Sequence, residues 1–98
     1  MATFEELGDK HGPWLKGLTS FKIGKTGQTL KDRFDQEYAE QYKSILTVGT
    51  APDKTTIDGF EKYMIKRFGN LPNCDNEQVG GGEMATSSQY RVYVVYNK

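Results

Sequence analysis

The sequence has one cysteine, one histidine, three prolines and no apolar run approaching the roughly 20 residues that a membrane-crossing helix needs. Each shortage removes a class of function. A lone Cys74 permits no internal disulfide and no Cys-rich zinc centre, which fits a reducing compartment. His11 has no second histidine to share a metal with, and nothing in the sequence brings it to Cys74 as a nucleophile and base pair. Charge of either sign is not in excess. Thirteen Lys and Arg balance 13 Asp and Glu, which argues against a histone-like non-specific DNA binder and leaves room only for a local basic patch. The opening residues Met1 to Glu6 are acidic and lack the cationic start and apolar stretch of a signal peptide, so the expectation is a cytoplasmic chain with no membrane association.

What is present is aromatic. Hydrophobic residues make up only 36% of the 98, yet five Phe, six Tyr and one Trp can each bury a large area. The length leaves room for one thin-cored domain and no second one.

Residues 1–20 carry Gly8, Gly12, Pro13 and Gly17 among charges and read as an irregular N-terminal arm, with a single domain over 21–98. Phe21, Ile23 and Lys25 alternate with Lys22 and Gly24, the pattern of a short half-buried strand. Leu30, Phe34, Tyr38 and Tyr42 step by four, predicting an amphipathic helix from Leu30 to about Tyr42. Ser44 to Thr50 is rich in β-branched residues and predicts a second strand. Thr55 or Thr56 would cap a second helix, Ile57 to Phe68, whose apolar face runs Ile57, Phe60, Met64, Phe68 and is bordered by Glu61. A Gly/Asn/Ser-rich loop over 69–89 follows, then the strongest strand signal, Tyr90 to Tyr96, with Val92, Val94 and Tyr96 on one face and Tyr93 and Val95 on the other. The expected fold is a mixed α+β domain: a small, mainly antiparallel sheet of three strands with two principal helices.

Gly24-Lys25-Thr26 invites a phosphate-loop reading, but the glycine required five residues earlier is Thr19. What remains is a constellation of Lys22 and Lys25 at a strand end, Arg33 on the next helix and Glu61 as an inward carboxylate. Those types suit one-metal phosphodiester hydrolysis, in which a carboxylate holds a hard divalent ion and an Arg stabilises charge on the phosphorane. From the pattern alone, a surface cation and a helix-face salt bridge are the favoured reading of Arg33 and Glu61.

From Phe21 to Met84 the chain resembles the GIY-YIG nuclease superfamily, in its phage and bacterial branch whose second motif reads Lys-Ile-Gly-Lys-Thr. The matching residues are Phe21-Lys22-Ile23-Gly24-Lys25-Thr26, with Lys22 in place of the motif tyrosine. Arg33-Phe34 follows, the Arg eleven positions after Lys22. Phe60 to Phe68 matches the helix carrying the metal-binding Glu, and Gly82-Glu83-Met84 the closing segment. The family's opening Gly-Ile-Tyr strand is missing before Phe21, where the chain reads Trp14-Leu15-Lys16-Gly17-Leu18-Thr19. Arg91 to Asn97 resembles that strand, with Tyr93 in the tyrosine's place, so the resemblance implies a circularly permuted domain whose C-terminal strand lies beside Phe21 to Lys25.

The resemblance implies a DNA endonuclease using Mg2+ (or Mn2+). Glu61 would hold the metal, Tyr93 or a metal-bound water would act as general base, and Arg33 with Lys22 would stabilise the transition state. Lys25, Lys31, Lys62, Lys66 and Arg67 would contact DNA phosphates, and Asn76 would reach the site. The alternative is a catalytically inactive, phage-encoded binding module of the same scaffold that binds nucleic acid or inhibits a host protein. Neutral net charge, Lys22 and the displaced strand favour it.

Overall fold

The computed structural model describes residues 3–27, 29–76 and 86–98. The elements run α1 (Phe4–Lys16), β1 (Ser20–Thr26), α2 (Leu30–Glu37), β2 (Ser44–Ala51), α3 (Lys54–Phe68) and β3 (Tyr90–Asn97). The fold is α+β, with three helices and one three-stranded sheet among the described residues; the strand order is β1-β3-β2 and both pairings are antiparallel. β3 is central and lies beside β1, with Gly24 opposite Tyr93.

Two cores form because strand side chains alternate between the faces of the sheet. Phe21 and Ile23 of β1 and Val92 and Val94 of β3 pack on one face, under α1 and α3, with Leu15, Ile57, Phe60, Met64 and Phe68. Tyr93 and Val95 turn to the other face, where Leu30 and Phe34 of α2 cover them together with Tyr38, Tyr42 and Ile45. In β2 the register shifts between Thr47 and Gly49, leaving Val48 buried in the larger core.

The expected irregular arm is instead helical over Phe4–Lys16. Thr3 caps it, its hydroxyl accepting from the Glu6 N–H at 3.1 Å and bonding the Glu6 carboxylate at 3.2 Å. Gly8 and Gly12, which read as breakers, are one turn apart and bring α1 against α3. A Cβ on Gly12 would lie 3.1 Å from the Phe68 ring, and one on Gly8 would strike the Arg67 guanidinium. At Gly12 the Phe68 ring leaves little room for a larger residue, although a glycine costs a helix roughly 1 kcal/mol. Phe4 stacks on Phe60 with centroids 5.0 Å apart, and Arg67 pairs with Asp9.

Two boundaries also differ from expectation. α2 ends at Glu37, because both the Tyr38 and Ala39 N–H groups turn back onto the Phe34 carbonyl. A following turn, with Tyr42 N–H on Tyr38 O at 2.9 Å, returns Tyr42 to the same apolar cluster. α3 is capped by Asp53, which accepts from the Thr56 N–H at 2.8 Å and the Thr56 hydroxyl at 2.9 Å; Thr56 is the donor and not the cap. The segments Gly80-Gly81-Gly82 and Gly82-Glu83-Met84 lie outside the described residues.

Candidate functional site

On the α2 face, the register places Lys22, Gly24 and Thr26 of β1 beside Val95, Tyr93 and Arg91 of β3. The Tyr93 phenol lies over Gly24, where a Cβ would collide with its hydroxyl, so glycine is what lets the ring fold down across the strand. Arg33, one turn into α2, donates its Nε–H to the Tyr93 hydroxyl at 3.3 Å, and that hydroxyl donates to Tyr38 at 2.9 Å. The Tyr38 ring then has two cations near it, Lys22 Nζ at 6.0 Å and the Arg33 guanidinium carbon at 5.9 Å from its centroid. Beyond this cluster Tyr42 donates to Asp75 at 2.6 Å.

The phenol of Tyr93 is held above the usual tyrosine range, chiefly because it is buried; the Arg33 bond opposes this and the Tyr38 bond adds to it. At neutral pH it is therefore a protonated hydrogen-bond donor, and the base role expected of it does not suit this setting. Tyr42 is raised as well, first by burial and then by its bond to Asp75. A group whose proton is held more tightly in the folded state contributes stability that is full below its unfolded value, near 10, and lost as pH rises above it. Alkaline titration followed by circular dichroism should show wild type weakening from about pH 10, and Tyr93→Phe weakening less steeply over that range. Identical slopes would reject the assignment.

Glu61 is elsewhere. It is buried on α3, on the opposite face of the sheet, with its Oε1 3.4 Å from the Lys25 ammonium. Lys25, expected as a phosphate contact, alternates inward with Phe21 and Ile23 and also bonds Asp58. Of the other expected DNA contacts, Lys62 pairs with Asp58 at 3.0 Å and Arg67 with Asp9. Lys66 is exposed on α3 and Lys31 on α2, two residues before Arg33 and so turned to a different side of the helix. The Asn76 amide bonds the β1 backbone at Ile23, accepting from its N–H at 2.8 Å and donating to its carbonyl at 2.9 Å, so it closes the strand's outer edge.

The structure thus brings Tyr93, Arg33 and Lys22 together and places Glu61 across the sheet from them. Neither a family model, nor a curated protein, nor a solved structure matches the chain. The residues around Glu61 do not fit a resident Mg2+ ion, because the position beside its carboxylate is taken by the Lys25 ammonium. Among the described residues no three or more His, Cys, Asp or Glu side chains are grouped as metal ligands. Two residues on the Tyr93 face of the sheet are not anticipated as site residues. Tyr38 reads by its helical spacing as packing alone, and Arg91 is missed although strand alternation already aligns it with Tyr93.

Proposed function

We propose that this chain is a binding module for the phosphate backbone of nucleic acid, and that it does not cleave the bond. The observation that carries this reading is the division of the expected catalytic set by the sheet: Arg33, Lys22 and Tyr93 on one face, Glu61 with Lys25 on the other. One-metal hydrolysis needs the carboxylate-bound ion and the Arg at the same phosphate. Anion recognition needs only the first group. Arg33 and Lys22 set two positive charges on the face that carries Tyr38 and Tyr93, and cations of these types are what phosphate oxygens take. Contacts of this kind give sequence-independent binding that weakens with salt.

Fluorescence anisotropy with labelled duplex and single-stranded DNA tests this. Wild type should bind at low salt with an affinity on the order of 10⁻⁶ to 10⁻⁴ M. Arg33→Ala should weaken binding severalfold and lower the salt slope by about one, whereas Lys66→Ala on α3 should change little. Equal losses for the two variants would reject the α2 face, and no binding at low salt would move the reading to a protein partner. A plasmid-nicking assay with Mg2+ or Mn2+ should show no cleavage. Nicking that disappears in Glu61→Gln would restore the hydrolase reading.

A further inference from the structure

Asp58 and Glu61 stand three residues apart on α3, a spacing that puts both carboxylates on one side of the helix. β1 passes in front of that side and delivers Lys25 to it. The Lys25 side chain is only 5% exposed; its ammonium bonds Asp58 Oδ1 and lies 3.4 Å from Glu61 Oε1. The second Asp58 oxygen takes Lys62 Nζ at 3.0 Å, from an exposed position one turn along. Two positive and two negative charges therefore meet in one cluster, with Lys25 and Glu61 withdrawn from water and Asp58 and Lys62 on its solvent side. An ammonium buried this deeply is tolerated only when paired, and here two carboxylates share it.

We infer that Lys25 is a fixed internal counter-ion that shuts the Asp58 and Glu61 carboxylates to divalent cations, and that a neutral side chain in its place turns the pair into a Mn2+ or Mg2+ site. The charge arithmetic gives the direction. With Lys25 present a divalent ion would bring four positive charges against two negative ones. With Lys25 neutral, the pair and Lys62 carry a net charge of −1, and hard carboxylate oxygens are the ligands such an ion takes. The cluster lies across the sheet from Arg33 and Tyr93, so this inference stands or falls apart from the phosphate reading.

The test uses Mn2+ alone as the probe, followed by titration calorimetry and by thermal unfolding. Wild type should show neither binding heat nor a change in Tm at millimolar Mn2+. Lys25→Met, which keeps the aliphatic stem and removes the charge, should bind Mn2+ with a Kd on the order of 10⁻⁴ to 10⁻³ M and gain Tm on adding it. Adding Glu61→Gln to that variant should weaken Mn2+ binding at least tenfold, and Lys62→Met, which leaves the same net charge, should open no site because the Lys25 ammonium still stands against both carboxylates. A folded Lys25→Met that binds no Mn2+ would overturn the inference. So would a wild-type rise in Tm with Mn2+ that vanishes in Glu61→Gln, a result that does not depend on how well any Lys25 variant folds.

Discussion

Phe60→Ala should cost the chain about 3–5 kcal/mol, most of the stability a domain this small commands. The ring is 2% exposed and stacks on Phe4. It also fills the space over Gly49, where any side chain on β2 would collide with it. Truncation therefore opens a cavity where α1, α3 and β2 meet, and Gly49 has no side chain to relax into it. Urea unfolding followed by circular dichroism should show a much lower midpoint with an unchanged slope. A midpoint near that of wild type would mean that α1 and β2 close over the gap.

Gly24→Ala acts on the other face. Its methyl group would meet the Tyr93 hydroxyl and the adjoining ring carbons, and the phenol is held in place by Arg33 and Tyr38. Overpacking of this kind costs about 1–3 kcal/mol. Because the displaced atom is the one that Arg33 donates to, the substitution should lower Tm and weaken DNA binding together. Removing the nearest atom should relieve part of it, so Gly24→Ala with Tyr93→Phe should melt above Gly24→Ala alone. A double variant no more stable than the single one would place the clash elsewhere.

These two faces also separate what was legible in the sequence from what was not. The alternation of Phe21 and Ile23, and of Val92 and Val94 against Tyr93 and Val95, marks the strands and their faces correctly, because period-two burial is local information. The meeting of Arg33 with Tyr93 was expected from the resemblance. Glu61 was expected with them, and its helical spacing does show that it points inward; periodicity cannot say which face of a sheet a helix will cover. Helix α1 was illegible for a related reason. Gly8, Gly12 and Pro13 read as interruptions, and the groups that make the two glycines useful, Tyr63, Arg67 and Phe68, are more than fifty residues away. Lys25 was readable in part, since it shares its alternation with two core residues. A lysine among glycines and threonines nevertheless suggests solvent until its acidic partners on α3 are seen.

The central position of β3 governs the order in which the sheet can assemble. β1 and β2 do not pair with each other; each pairs only with β3, and Gly24 meets Tyr93 across 69 intervening steps of chain (93 − 24). Both flanking strands must therefore wait, with their inner edges unpaired, until residues 90–97 arrive between them. The nearer pairing, Ala51 with Tyr90, already closes 39 steps of chain (90 − 51) before any strand pairing is gained, and long closures of this kind slow folding. The helices can form from local contacts before then, and neither core is complete until β3 supplies Val92 and Val94 to one and Tyr93 and Val95 to the other.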